Sequence, residues 1–329
     1  MITLRPVDSL EICVLVDNAT DILSSPGPSA SSELSGHLRR GLRKLGGNCL
    51  CCAAHGFSCA VTVQKGLERR TVLFDTGPEP LILMNNVGRL GLDFGTIDAI
   101  VLSHGHFDHV GAVLAAISAI RSRSGGASLP IYLHPGMFNR RGYQLPDGAV
   151  VILDDVPDVD RLTECGASPF VTTEAVNIFD GLLQVSGEIQ RVTPFEQGLP
   201  GHVCWRQDNE SWEPDPQIID ERFLAINVGG KGLVILTACS HAGAVNVLEH
   251  ARATHPALPL HAVIGGLHLS GSTETIISPT LEALKKFNLS LIAAGHCTGW
   301  RAQAELLQTF GSSVTAPTAV GKTYFFVAN

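Results

Sequence analysis

The chain has 329 residues, of which 45% are hydrophobic and 16% are charged, and it carries a formal net charge of −8. This length and composition exclude a disordered chain and allow one large or two modest domains with a sizeable core. The acidic balance argues against a nucleic-acid partner, because a phosphate backbone requires a surface rich in lysine and arginine.

The cysteines and the N-terminus indicate where the protein resides. The nine cysteines lack the even spacing of a disulfide framework, which favours reduced thiols in a cytoplasmic protein. Cys49, Cys51 and Cys52 lie close together, but no second cysteine pair accompanies them, so no structural zinc site is expected there. Asp8 and Glu11 interrupt any signal-like segment, and no apolar stretch approaches the roughly 20 residues of a membrane span. We expect no membrane partner, and the oligomeric state stays open.

The first elements in chain order are a strand and an insertion. Residues 10–16 predict a buried strand. Residues 21–48 are rich in Ser, Pro and Gly and predict a surface insertion with one short helix, which could form a flap. The insertion ends in a basic cluster that is either a solvated face or a gate for substrate. This cluster consists of Arg39, Arg40, Arg43 and Lys44.

A regular pattern begins at residue 58. Residues 58–64 and 70–75 predict two strands paired around Gly66, and the apolar run 111–120 predicts a buried helix. Residues 155–220 carry scattered Pro, Gly and Asp and predict extended segments and long loops. The other predicted strands are 97–102, 131–133, 150–152, 223–228, 232–236, 261–265 and 290–294. The other predicted helices are 242–252, 279–287 and one that begins near Arg301.

Each half of the chain thus holds a strand-rich part followed by strand–helix alternation. This order favours a single α/β domain over residues 1–329, in which two sheets pack face to face with helices outside. The sequence therefore predicts a four-layer αββα sandwich.

A dense group of metal-ligand residue types follows the predicted strand 97–102. The group is His104, His106, Asp108 and His109. His104 and His106 are two positions apart, so their imidazoles point the same way in an extended loop. Imidazole and carboxylate ligands suit zinc, iron or manganese, and packing alone does not explain four such residues within six positions.

These residues carry a family resemblance. His-x-His-x-Asp-His after an apolar strand resembles the signature of the metallo-β-lactamase superfamily, and Phe74-Asp75-Thr76-Gly77 resembles that superfamily's first motif. The resemblance implies the αββα fold, and it implies that Asp75 hydrogen-bonds behind the metal ligands. Alternatively, Asp75 caps a helix that follows Gly77.

Three later histidines follow predicted strands, where α/β proteins place functional groups. They are His241 in Cys-Ser-His-Ala-Gly, His268 in Gly-Gly-Leu-His-Leu and His296 in His-Cys-Thr-Gly. Together these motifs resemble the branch of 7,8-dihydropterin-6-methyl-4-(β-D-ribofuranosyl)aminobenzene-5′-phosphate synthase-like proteins. The resemblance implies two metal positions, one formed by His104, His106 and His241 and the other by Asp108, His109 and His296.

The sequence departs from the superfamily pattern at one ligand. Many members have a bridging aspartate in a Gly-Asp turn, and the matching turn here reads Gly266-Leu267-His268. One or two metal ions therefore stay possible, with zinc expected and iron or manganese as alternatives. His268 is a candidate ligand, proton donor or substrate contact. Cys239 is either a soft ligand or an inert buried thiol.

The motifs predict a metal-dependent hydrolase that attacks an ester, lactone or phosphoester of a small molecule with a metal-activated water. Asp108 would hold the second metal or orient the hydroxide, and His268 would protonate the leaving group. The branch resemblance implies an alternative, a synthase-like transferase that needs a phosphate pocket. Candidate phosphate ligands are Arg191, Lys231 and Lys322, together with the glycines around 265–266 and 295–299. A non-catalytic metal-binding protein with a degenerate site is the alternative from another class.

Overall fold

The computed structural model describes residues 4–329, and its strands and helices are numbered here in chain order. The strands are β1 (Ser9–Val16), β2 (Ala30–Ser31), β3 (Ser58–Lys65), β4 (Glu68–Phe74), β5 (Ala99–Val101), β6 (Leu129–Leu133), β7 (Arg141–Gln144), β8 (Val150–Ile152), β9 (Ala167–Val171), β10 (Val176–Ile178), β11 (Leu183–Val185), β12 (His202–Arg206), β13 (Ser211–Pro214), β14 (Leu224–Val228), β15 (Gly232–Leu236), β16 (Leu260–Gly266), β17 (Leu291–Gly295) and β18 (Thr323–Val327). The α-helices are α1 (Glu33–Arg39), α2 (Pro80–Leu90), α3 (Phe107–Val110), α4 (Val113–Arg123), α5 (Val159–Glu164), α6 (Ala244–Thr254), α7 (Ile277–Leu284) and α8 (Trp300–Phe310).

Two large mixed sheets dominate the architecture. The first has eight strands in the order β2-β18-β1-β3-β4-β5-β6-β9, and the second has six in the order β10-β11-β14-β15-β16-β17. The predicted hairpin forms, since β3 and β4 pair antiparallel on either side of Gly66. Strands β4, β5 and β6 run parallel, as do β15, β16 and β17. Parallel neighbours place their carboxyl ends at a common edge of each sheet.

The two sheets share one apolar core. Val14 and Phe74 from the first sheet and Leu236 and Ile264 from the second are fully buried in the same cluster. Helices α2 and α4 pack on the outer face of the first sheet, and α6, α7 and α8 cover the outer face of the second. Each sheet is thus apolar on both faces, as a middle layer requires. The predicted four-layer αββα sandwich is confirmed.

A third sheet was not predicted. Four strands in the order β13-β12-β7-β8 form a separate antiparallel sheet, and residues 155–220 contain α5 and five strands where extended segments and long loops were expected. These strands have only three to five residues, and β7 pairs with β12 across a long stretch of sequence. A short strand whose partner is distant leaves little periodicity in the local sequence, because its preference depends on its cross-strand neighbours.

The predicted insertion at 21–48 lies at the edge of the first sheet. It contains β2, which pairs with β18, and one short helix, α1, which packs against α2. All nine cysteines are free thiols. Within residues 4–329, no helix has both the length and the apolarity needed to cross a membrane.

The shared core generates a stability prediction. Leu224 on β14 is fully buried between the sheets, so Leu224→Ala removes buried methyl groups and leaves a cavity. We expect a loss of about 2–5 kcal/mol in the free energy of unfolding, measured by denaturant titration. Leu67→Ala, at a fully exposed leucine in the β3–β4 turn, should change it by less than about 0.5 kcal/mol. Equal effects of the two substitutions would contradict this account of the core.

Candidate metal centre

The six predicted ligands lie together at the carboxyl ends of the central strands. His104 and His106 follow β5, His241 follows β15 and His296 follows β17. Asp108 and His109 belong to α3, which begins directly after His106. All six side chains are buried. Burying so many imidazole and carboxylate groups together is unfavourable unless a cation binds their lone pairs and charges.

The ligand atoms form two groups of three. The donor atoms of His104, His106 and His241 all lie within 4.8 Å of one another, and so do those of Asp108, His109 and His296. In the second group, Asp108 Oδ2 is 3.3 Å from His296 Nε2 and 3.5 Å from His109 Nε2. The two groups are adjacent, since the ring centroids of His104 and His109 are 4.3 Å apart.

Hydrogen bonds set which nitrogen of His104 and His109 carries the proton. Ser103 Oγ lies 2.7 Å from Asp75 Oδ2 and 2.9 Å from His104 Nδ1. Because a carboxylate only accepts, the hydroxyl donates to Asp75 and accepts from the Nδ1–H of His104. Asp75 Oδ2 also accepts from His109 Nδ1 at 2.8 Å. The Nε2 atoms of both histidines therefore face the two groups of metal-ligand atoms, which are called the donor groups below.

A second chain of hydrogen bonds orients His106. His202 Nδ1 lies 2.7 Å from the carbonyl oxygen of Asp215, which only accepts, so His202 carries its proton at Nδ1. The Nε2 of His202 then accepts from His106 Nε2 at 3.1 Å. The lone pair of His106 is left at Nδ1, 3.1 Å from the lone pair of His104 Nε2. Two lone pairs that face each other at this distance repel, and a metal ion bound between them would remove this repulsion.

The remaining histidines also present free nitrogens. His296 Nδ1 donates to Asn18 Oδ1 at 3.0 Å, so its Nε2 faces the second group, 3.3 Å from Asp108 Oδ2. Neither ring nitrogen of His241 has a hydrogen-bond partner, although the side chain is 4% exposed. Buried nitrogens of this kind are rare unless they coordinate an ion. This arrangement of inward lone pairs fits metal ions at both groups.

The electrostatics of the two groups differ. Burial, together with neighbouring positive groups, lowers the pKa of His104, His106 and His241 well below the usual value, so these imidazoles are neutral ligands. For His109, burial opposes protonation, but the carboxylates Asp108 and Asp75 outweigh it and raise the pKa to about 10. The two carboxylates thus favour a positive charge at His109 Nε2, which either a proton or a metal ion supplies.

Four buried carboxylates hold the ligand loops by their backbone amides. Each accepts from an N–H group in or beside a ligand: Asp75 from Ser103 N at 2.7 Å, Asp220 from Gly105 N at 2.9 Å, Glu221 from His241 N at 2.7 Å and Asp17 from His296 N at 3.0 Å. Burial raises the pKa of Glu221 to about 7 against the opposing effect of its backbone donors. The backbone of each ligand segment is therefore fixed from behind.

Asp75 was predicted to hydrogen-bond behind the ligands or to cap a helix. The structure places its carboxylate against Ser103 and His109, whereas the next helix begins at Pro80 after Glu79. The capping alternative is therefore wrong.

The turns at the strand ends are conformationally unusual. Asp75, Ser240, His268 and His296 have φ values of 57°, 59°, 43° and 48°, in the left-handed region that non-glycine residues rarely adopt. Such backbone conformations cluster at functional sites, because the surrounding structure must impose them. Gly105 has a different role, since a Cβ there would lie 2.5 Å from the carbonyl oxygen of Met137. Only glycine allows the first ligand loop to approach that segment.

His268 and two cysteines flank the two donor groups. The His268 ring lies 4.4 Å from that of His241, and its Nδ1 has no hydrogen-bond partner. The Sγ of Cys239 lies 3.2 Å from His109 Nε2, and the Sγ of Cys297 lies 3.4 Å from the carbonyl oxygen of Cys239. Burial, reinforced by Cys297, raises the pKa of Cys239 well above the usual value. His268 therefore lines the cavity beside the donor groups, and its role in the chemistry stays a prediction.

A cavity of about 300 Å³ opens onto the ligands. Apolar groups from Phe107, Tyr143, Leu153 and Leu199 line it together with the histidines, and no described lysine or arginine does. No residue of 21–48 lines it either, so the predicted flap and the gating role of its basic cluster are not supported. Arg191, Lys231 and Lys322 also lie outside this lining.

Three residues that the sequence did not single out as functional contribute to the site. His202 on β12 orients His106, Asn18 orients His296, and His55 Nε2 lies 3.4 Å from Asp108 Oδ2 at the cavity mouth. Nothing in the local sequence of Asn18 or His202 points to this site, because their partners are distant in the chain.

Several known proteins are similar to this chain in sequence. A model of the metallo-β-lactamase superfamily matches residues 56–210. The 7,8-dihydropterin-6-methyl-4-(β-D-ribofuranosyl)-aminobenzene-5′-phosphate synthase of Methanocaldococcus jannaschii is 29% identical over 258 residues, which cover 78% of this chain and 85% of that protein. An uncharacterized protein of the same organism is 25% identical over 265 residues, 78% of this chain and 88% of that one.

Solved structures show the same fold. A metal-dependent hydrolase of the β-lactamase superfamily superposes with a TM-score of 0.68 at 21% identity, over 97% of this chain and all of that one. Unliganded yeast PDE1 superposes with a TM-score of 0.53 at 11% identity, over 98% of this chain and all of that one. At these identities the likeness extends to the fold and no further.

The carboxylates behind the ligand loops generate a prediction. Glu221 accepts backbone hydrogen bonds from both His241 and Ala242, so Glu221→Gln replaces one acceptor by an amide NH₂ that faces a donor. We expect a loss of about 1–3 kcal/mol in the free energy of unfolding, measured by denaturant titration. Glu305→Gln, at an exposed position of α8, is the matched control and should be neutral. An unchanged stability of Glu221→Gln would show that this carboxylate does not hold the loop.

Proposed function

We propose that the chain is a metal-dependent hydrolase of the metallo-β-lactamase superfamily that acts on a small-molecule ester, lactone or phosphoester. The observation that carries the proposal is the inward orientation of the imidazole lone pairs. Hydrogen bonds on the outer nitrogens of His104, His106 and His109 leave the inner nitrogens free to bind a cation. A histidine ligand needs this lone pair, and its outer partner holds the required tautomer.

We assign one metal position to each donor group. His104, His106 and His241 would hold the first ion, and Asp108, His109 and His296 the second. The all-imidazole group and the mixed group both suit zinc, while the carboxylate also suits iron or manganese. A divalent metal bound here would supply hydroxide as a nucleophile at neutral pH and polarise the oxygen under attack.

The residues around the ligands would supply a proton donor and a lining that excludes water. His268 lines the cavity beside His241, where its unpaired Nδ1 is placed to give a proton to a leaving group. Asp108 Oδ2 contacts the Nε2 atoms of His109 and His296, which keeps the carboxylate on the second position. Phe107, Tyr143, Leu153 and Leu199 exclude water around the substrate, which strengthens the electrostatic interactions inside.

The cavity also limits the substrate. Its volume of about 300 Å³ suits a small organic molecule with an apolar part. Because no described lysine or arginine lines the cavity, an anionic group of the substrate would have to bind at the metals. This lining favours a carbonyl ester or lactone over a substrate with a separate phosphate group.

A second candidate is a synthase-like transferase. The 29% identity to the Methanocaldococcus jannaschii synthase, over most of both chains, favours it. That reaction type needs a site for a phosphate, and the three basic residues considered for this purpose lie elsewhere. Arg191 donates to the carbonyl oxygen of Ile189, and Lys322 donates to that of Pro317. We therefore place the hydrolase first.

Metal content and turnover test the proposal together. The purified chain should bind about two divalent ions, and His106→Ala should lose at least the ion of the first group, because solvent does not replace a lost ligand at equal affinity. His261→Ala, at the opposite end of β16, is the control and should keep the metal content. A chain that binds no metal would refute the proposal.

A substrate panel separates the candidate functions. The hydrolase should cleave esters, lactones or phosphoesters, and turnover should fall with His106→Ala. Condensation of an aminobenzoate with a phosphoribosyl donor, without hydrolysis, would favour the synthase. Two bound metals without any turnover would favour a non-catalytic metal-binding protein.

The hydrogen bond from His106 to His202 generates a separate prediction. His202→Ala removes the acceptor that holds His106 in its metal-binding tautomer, while all six ligands remain. We expect metal affinity to fall about 10–100-fold in competition with a chelator. His202→Gln, which keeps an acceptor, should lie between Ala and the unmodified chain. An affinity unchanged by His202→Ala would show that His202 does not orient the ligand.

A further inference from the structure

One side chain outside the six predicted ligands lies between the two donor groups. The Sγ of Cys239 and the donor atoms of His104 and His109 all lie within 4.8 Å of one another. His104 belongs to the first group and His109 to the second. We propose that Cys239 loses its thiol proton to solvent when metal binds and becomes a thiolate ligand shared by the two metal positions, an inference that rests on the proposed metal binding.

The contact with His109 is on the metal side of the ring. His109 Nδ1 donates to Asp75, so the nitrogen that faces Cys239, at 3.2 Å from its Sγ, is the ligand atom Nε2. Around one tetrahedral zinc, bonds of about 2.1 Å to nitrogen and about 2.3 Å to sulfur place the two donor atoms about 3.6 Å apart. The observed separation is close to this value, so both atoms can bind one ion with little movement.

The chain holds Cys239 in this position from both sides. The carbonyl oxygen of Cys239 accepts from Cys297 Sγ, and the next residue, Ser240, donates its hydroxyl to Gly266 O at 2.8 Å. Ser240 has a left-handed backbone, and His241 is fixed by Glu221. Cys239 is 3% exposed, so its sulfur faces the donor groups rather than solvent. These restraints preorganise the sulfur as a ligand.

The neighbouring candidates fit the shared position less well. Cys297 and His268 form a further close group with Cys239, but among the described residues neither joins a donor group that contains one of the six ligands. Cys239 is the member of that group that also contacts His109. Cys297 and His268 therefore flank the metal positions, and Cys239 occupies the space between them.

A shared thiolate changes the metal preference. Oxygen ligands favour hard ions such as manganese, whereas a thiolate favours zinc and other softer ions. The chain should therefore prefer zinc to manganese more strongly than a site with a bridging carboxylate does. Cys239→Asp, which restores a carboxylate, should shift the preference towards manganese.

Cobalt substitution tests the proposal directly. The Co²⁺-loaded chain should show a near-ultraviolet sulfur-to-cobalt charge-transfer band with about two ions bound. Cys239→Ser should lose the band and bind at least one ion about tenfold more weakly. Cys239→Asp should lose the band but keep about two ions. Cys297→Ser, whose hydroxyl can still donate to the carbonyl oxygen of Cys239, is the matched control and should keep both the band and the ions.

X-ray absorption of the zinc-loaded, unmodified chain gives a readout that needs no variant. It should show sulfur at about 2.3 Å from zinc. Absence of that sulfur, or a charge-transfer band that persists in Cys239→Ser and disappears in Cys297→Ser, would overturn the assignment of Cys239. Failure to bind any cobalt or zinc would instead refute the proposed function itself.

Discussion

The site depends on hydrogen bonds made by the outer nitrogens of its histidines. His104 donates to Ser103, His106 to His202, His109 to Asp75 and His296 to Asn18. Each bond occupies the outer nitrogen, so the inner nitrogen directs its lone pair, or at His109 the proton that the carboxylates favour, towards the same small volume. Without a cation these lone pairs would repel one another in a buried environment, which the interior of a protein tolerates poorly. The fold and its loops serve to maintain this arrangement.

Buried carboxylates hold the backbone of the ligand segments by hydrogen bonds, as the outer partners hold the imidazole rings. Asp17, Asp75, Asp220 and Glu221 each accept an amide hydrogen from a ligand segment that follows a strand. A carboxylate buried on its own would be unfavourable, but these are compensated by backbone donors, and Asp220 also by Arg141. The ligand loops are therefore rigid before any metal binds, which limits the entropy lost on binding.

Some of this site could be predicted from the sequence alone, and the reason is local. His104, His106, Asp108 and His109 lie within one short segment after an apolar strand, so their spacing carries the chemistry. His241, His268 and His296 could be placed because each follows a predicted strand, and parallel strands end at a common edge. The strands 150–152 and 232–236 were predicted with the bounds that the structure has.

The rest depends on contacts between distant segments. His202 lies on β12, in a sheet that was not predicted, where β12 pairs with β7 across a long stretch of sequence. Its role follows only from the carbonyl oxygen of Asp215 and the position of His106. Likewise, the location of Cys239 between the donor groups depends on where β15 ends relative to α3, which periodicity does not reveal. Tautomers and loop anchors are three-dimensional properties.

The central claim is that two adjacent groups of preoriented ligands each bind a metal ion. Anomalous diffraction at the zinc absorption edge, from crystals of the zinc-loaded chain, measures this most directly. The account predicts two peaks, one among His104, His106 and His241 and the other among Asp108, His109 and His296. No peak in this cavity, or peaks only at other residues, would contradict it.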